Sequence, residues 1–216
     1  MIEGVFFYWF GWIAFTIVYF LLPKSKLQRD TALLILLFIA LSSVSIPILG
    51  VGVGGTFILL VISAYRFLLD SSRKQKVTLL GFSLILSTVY VLFLYHRWYD
   101  PVWLYQYPEW IFAIPVSLVI FCFIRSVQYR YGLLLASMVQ GEVCFYILFQ
   151  NEGRGFPFAG VVFYDIVAVS AAVLSFLMTI EWFIHLLRSY ISGSRPVHHV
   201  HSQRVRNRTY SLPLTK

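Results

Sequence analysis

The sequence predicts an all-α polytopic membrane protein: a seven-transmembrane-helix bundle with its N-terminus outside and its C-terminus cytoplasmic. Three observations carry this reading. The 216 residues are 59% apolar and only 12% charged, too little polar surface for a soluble domain of this size. Apolar residues come in seven blocks, near the ~20 residues that cross ~30 Å of hydrocarbon. Lys and Arg fall between these blocks in strict alternation: with the N-terminus outside, fifteen of the seventeen lie on one side, which the positive-inside bias makes the cytoplasmic one.

The predicted spans are 4–22, 32–48, 55–69, 78–95, 110–124, 131–149 and 160–184. Together they make residues 1–188 one transmembrane domain, with 189–216 as a disordered basic cytoplasmic tail. The first span follows Glu3 and precedes Lys24, Lys26 and Arg29, the reverse of a signal peptide, so it is expected to be a retained anchor. The second and third spans are joined by Pro47 to Gly55, rich in glycine. A nucleotide-binding loop there would need a preceding strand and a βαβ context, and a flexible hairpin is expected instead. Arg66, Arg73, Lys74 and Lys76 mark the next inner connection, and Arg125 and Arg130 the third.

The longest outer loop, His96 to Trp110, is rich in aromatic residues, and Phe6, Phe7, Tyr8, Trp9, Phe10 and Trp12 crowd the outer end of span one. Aromatic rings with polar tips favour the headgroup region, so interfacial anchoring is the simpler reading and a binding platform the sharper one. His96, Arg97, Asp100 and Glu109 are the candidate outer-face residues. Cys122 and Cys144 are read as buried small hydrophobes. Their difference in depth is too large for a disulfide, whose Cα atoms lie within ~7 Å.

Ionisable groups inside spans cost free energy and mark partners or pathways. Glu142 in span six and Asp165 in span seven come out ~10 Å and ~8 Å from the same face. Ser137 and Gly141, with the stripe Ala168, Ala172, Ser175 and Thr179, suggest that these two helices touch. Gln140, Tyr146 and Arg154 complete a candidate intramembrane polar site. Apposed carboxylates could share a proton and couple transport, but structural acids neutralised by Arg154, Arg97 or protonation are the favoured reading. Glu181, His185 and Arg188 share one face at the inner end of the last span. In the tail, Arg195, Arg204, Arg206 and Arg208 are suited to anionic lipid headgroups. His198, His199 and His201 make only a weak metal site.

Several classes are disfavoured. The five lysines, Lys24, Lys26, Lys74, Lys76 and Lys216, all lie outside the spans, so none can carry a retinal Schiff base. No convincing repeat relates spans 1–3 to 5–7, as a sugar carrier of this orientation would require. No metalloprotease, serine-hydrolase or phosphate-loop motif occurs. No cofactor, metal or nucleic-acid partner is expected. The expected partners are the lipid bilayer and a membrane-protein partner.

The opening Glu3-Gly4-Val5-Phe6-Phe7-Tyr8-Trp9-Phe10-Gly11-Trp12, followed by a short basic loop, resembles the YphA family of small membrane proteins from Bacillus-type bacteria. Chain length and number of spans are also similar. The resemblance carries over no catalytic residues; it implies the cytoplasmic membrane of a Gram-positive cell and a link with spore envelope formation. The expected role is a non-enzymatic assembly or scaffolding factor. The alternatives are a small proton- or cation-coupled transporter or channel using Glu142 and Asp165, and an intramembrane enzyme on lipid-linked substrates using His96, Asp100 or Glu109.

Overall fold

A computed structural model describes residues 4–48, 51–69, 73–99, 108–150 and 158–193. Seven α-helices account for most of them. These are α1 (Val5–Thr16), α2 (Lys26–Leu41), α3 (Gly55–Leu69), α4 (Arg73–Tyr99), α5 (Pro108–Phe123), α6 (Val127–Phe149) and α7 (Val161–Gly193). The first continues through a π-helical stretch, Ile17–Leu21. Arg73–Tyr99, Val127–Phe149 and Val161–Tyr190 are long and apolar enough to cross a membrane, while Val5–Leu21, Gly55–Arg66 and Glu109–Phe123 are shorter apolar helices. The last helix divides between two compact units, Met1–Met178 and Thr179–Lys216; the helical bundle belongs to the first.

The second expected span, 32–48, is only partly helical. Helix α2 ends at Leu41, and 45–48 is a strand, β1 (Ser45–Ile48), paired antiparallel with β2 (Val51–Gly54). The ladder tightens at its end to bonds three residues back, Ser42 N–H to the Ile39 carbonyl at 3.4 Å and Val44 N–H to the Leu41 carbonyl at 3.1 Å. Beyond it Val44, Ile46 and Ile48 are β-branched, and Pro47 would clash inside a helix. The Gly55 N–H donates to the Val44 carbonyl at 2.8 Å. With the register Ile46↔Val53, Pro47↔Gly52 and Ile48↔Val51, antiparallel alternation puts Pro47 at a non-hydrogen-bonded pair. Its missing N–H therefore costs the ladder nothing. The hairpin expected between two helices is thus an ordered β-ribbon.

Burial sets the arrangement. From Arg130 to Glu142, α6 is covered on nearly every side, which makes it the central helix. It packs most extensively on α4 and α3. Leu79, Ser83, Leu86, Ser87 and Tyr90 form the buried stripe of α4, at the spacing that keeps one helix face inward. At the periphery, α1 has no buried residue and α2 only Ala32. The outer surface carries large exposed apolar side chains, among them Trp9, Phe20, Leu84 and Phe176, while serines, tyrosines and carboxylates lie inside.

Gly141 explains the close approach of α6 and α4. A Cβ there would stand 2.6 Å from Tyr90 Cδ1 and 3.0 Å from the Ser87 carbonyl. The small pair Ser137 and Gly141 was expected to face span seven; Gly141 faces α4 instead. Along α7, Ala168 and Ala172 are half-buried and Ser175 and Thr179 exposed, whereas Phe163, Ile166, Val167, Ser170 and Leu174 are buried. The two cysteines depart from expectation in burial alone: Cys122 and Cys144 are free, as their depths required, but both are exposed on the apolar surface. A small thiol with weak polarity is tolerated against hydrocarbon as readily as in a core.

Gly141→Ala is expected to lower stability by about 1–3 kcal/mol through overpacking, seen as a lower midpoint of thermal unfolding in detergent. Gly81→Ala, where an added Cβ meets nothing within 4 Å, is the control that should leave that midpoint at or above wild type.

Candidate functional site

The two intramembrane acids are both buried, and both are engaged by groups that the local sequence does not reveal. Glu142 accepts a hydrogen bond from the Tyr90 hydroxyl of α4 at 2.9 Å and another from the Ala159 N–H at 3.1 Å. Ala159 precedes α7 and has φ 48°, a left-handed conformation that costs an L-residue about 1–2 kcal/mol. Glu142 thus fastens a strained backbone turn to the central helix. Around it Tyr90 meets Phe112 and Phe163 edge-on, so the pair sits among aromatic rings.

Asp165 does different work. Its two oxygens accept the Gly4 N–H at 2.6 Å and the Phe7 N–H at 2.8 Å. The first N–H groups of a helix have no partner within the helix, and Gly4, the residue before α1, has no side chain to cap them. A carboxylate from α7 therefore serves as the missing cap, and its charge also complements the positive end of the helix dipole. Gly4 adopts φ 91°, and a Cβ there would lie 2.5 Å from Val161 Cγ1, so the glycine lets the backbone approach Asp165.

Among the described residues no hydrogen bond or ion pair joins Glu142 to Asp165; each holds its own section of backbone. Gln140 accepts from Ser83 Oγ at 3.0 Å and donates to the Tyr65 hydroxyl at 3.3 Å, linking α6 to α4 and α3. Tyr146 packs its ring edge-on against Phe158. Arg97 pairs with Glu109 at 3.1 Å, joining the end of α4 to the start of α5. The second oxygen of Glu109 is buried without a partner among the described residues. His96 is exposed, with its ring against Tyr95. Arg154, Asp100, Arg195, Arg204, Arg206, Arg208 and the three tail histidines lie outside the described residues. Helix α7 continues to Gly193, so 189–193 is helical where a disordered tail was expected.

Charge counting treated Arg130 as a loop cation, yet it is buried. Its Nε donates to the Ile124 carbonyl at 2.6 Å and its Nη2 to the Phe121 carbonyl at 3.3 Å, with the guanidinium 4.3 Å from the Phe121 ring centroid. It caps the carbonyl end of α5 from the first turn of α6, a favourable place for a cation. No group of three or more potential metal ligands occurs among the described residues.

Asp165→Asn replaces one acceptor oxygen with an N–H donor facing a backbone N–H. It is expected to cost about 1–2 kcal/mol and to open the start of α1 to protease, measured as a lower unfolding midpoint and faster cleavage within residues 1–12. Arg130→Lys, which keeps the charge but loses the fork that spans two carbonyls, is expected to cost about 1 kcal/mol or more in the same unfolding measurement.

No curated protein and no solved structure matches the chain. The family model of the YphA-like integral membrane proteins matches residues 3–199. The bundle of apolar helices is therefore that of an integral membrane protein, and the chain belongs to the YphA-like family.

Proposed function

We propose that this protein is a non-enzymatic assembly or scaffolding factor of a bacterial cytoplasmic membrane, with the spore envelope as the structure it serves. In this reading the chain crosses the membrane seven times, with residues 1–3 outside and the basic segment 194–216 in the cytoplasm. The observation that carries the reading is the engagement of Glu142 and Asp165. Glu142 has one oxygen on Tyr90 and the other on the Ala159 N–H, and Asp165 holds two N–H groups at the start of α1. Acids committed to holding backbone are poorly placed to exchange a proton or cation during a transport cycle.

Glu142→Gln separates scaffold from carrier. A glutamine can still accept from the Ala159 N–H through its carbonyl and donate to the Tyr90 oxygen. A scaffold should therefore retain both abundance and phenotype in the membrane. Wild-type abundance with a lost phenotype would instead establish a carrier whose coupled group is Glu142. Removal of residues 194–216 should abolish the phenotype and the co-purification of a partner while leaving the bundle folded. Orientation is read by single-cysteine labelling in a background free of Cys122 and Cys144. With a membrane-impermeant thiol reagent on intact cells, Gln106→Cys should react and Tyr210→Cys should not; the reverse pattern would invert the topology.

A further inference from the structure

We infer that the groove between α1 and α2 is a binding site for an anionic glycerophospholipid, with the phosphate at its basic mouth and one acyl chain along its apolar wall. The groove has a volume of about 860 Å³. Phe15, Leu33 and Leu36 line it together with Lys24, Lys26 and Arg29, and along α2 the basic residues come at the start of the helix and the leucines one to two turns on. It lies at the edge of the bundle, where α1 has no buried residue and α2 has one. Only a molecule that is itself apolar over most of its length could cover that wall within a bilayer.

Three features point to a lipid and to its charge. The first is charge complementarity. Lys24 and Lys26 have no acidic partner among the described residues, and Arg29 has only Asp30, at 3.9 Å with both side chains largely exposed. Such a pair contributes little, so all three cations can turn to a phosphate. The second is the end of α1. Its π-helical stretch, Ile17–Leu21, shifts the last side chains off the α-helical face. Gln28 then fixes that stretch to α2, donating to the Tyr19 carbonyl at 2.7 Å. Tyr19 and Phe20 thereby stand on the groove side with the cations, where an aromatic belt meets lipid headgroups. The third is depth. Basic residues sit at one end and aliphatic side chains run away from it, the order of headgroup and acyl chain in a single lipid molecule. The Ser25 side chain caps α2 by accepting from the Gln28 N–H at 3.1 Å, so that N–H is already taken and the phosphate is met by the Lys24, Lys26 and Arg29 side chains.

The proposal goes beyond the scaffolding role and does not depend on it. It is tested with the full-length protein in nanodiscs that contain phosphatidylglycerol in a phosphatidylcholine background, by native mass spectrometry of the lipids retained on release. Phosphatidylglycerol is expected to be retained preferentially. The triple variant Lys24→Gln, Lys26→Gln, Arg29→Gln should weaken that retention roughly 10- to 100-fold. Leu33→Trp, which fills the wall and leaves every cation in place, should weaken it as well. The tail variant Arg204→Gln, Arg206→Gln, Arg208→Gln should leave it unchanged. Unfolding midpoints confirm that each variant is folded. Undiminished retention by the triple variant overturns the site. Full competition by glycerol phosphate alone overturns the lipid as its occupant, because the acyl chain would then contribute nothing. Retention lost only in the tail variant would place lipid binding on the tail and likewise overturn the groove.

Discussion

A backbone N–H that cannot reach water must find an acceptor, and in this bundle two carboxylates supply the acceptors. The start of α1 and the turn before α7 are both places where the chain leaves regular structure inside a packed interior. Neither can satisfy its own donors: Gly4 has no side chain, and Ala159 is in a left-handed conformation. Asp165 and Glu142 fill these vacancies from other parts of the chain. The cost of burying a carboxylate is offset by its two strong acceptor positions, used in each case for more than one donor. Asp165 and Glu142 are thus buried where they close backbone ends, and the aromatic core of Tyr90, Phe112 and Phe163 is built around one of these closures.

The same logic operates with opposite sign at the other end of a helix. Arg130 meets the unpaired carbonyls that end α5, as Asp165 meets the unpaired amides that begin α1. Gly141 and Gln140 then draw α4 and α3 onto α6 at close range. The bundle is organised about α6, with α1 and α2 left as an outer pair.

Much of this was legible in the sequence, and the limits have physical causes. Apolar block length located the helices because hydrocarbon thickness dictates it, and α3 begins and ends where its block does. The depth of Glu142 and Asp165 singled them out because an acid there must be accounted for. Their partners were not legible: Asp165 meets amides of Gly4 and Phe7, which share no side-chain signature with it and lie 161 and 158 positions away. Arg130 looked like its neighbour Arg125 because charge counting ignores direction, and only the fold turns one inward. The β-ribbon did leave a trace, in the alternation of Ile46, Ile48, Val51 and Val53 with Pro47 and Gly52, but an apolar run of that length also fits the end of a helix. The cysteines were misplaced because an apolar residue in a membrane helix has two apolar environments available, and composition does not distinguish them.

The cap that Asp165 places on α1 also has a direction in time. A ribosome delivers α1 first and α7 last, so the opening helix is made long before its cap exists. Arg130, by contrast, follows its carbonyls by only six and nine residues, and α5 can be finished as soon as α6 begins. Assembly is therefore asymmetric: the α5–α6 corner completes itself during synthesis, while the first helix waits for nearly the whole chain. A nascent chain that stops before α7 has the Gly4 and Phe7 amides without their carboxylate, and the arrival of the last helix is what closes them.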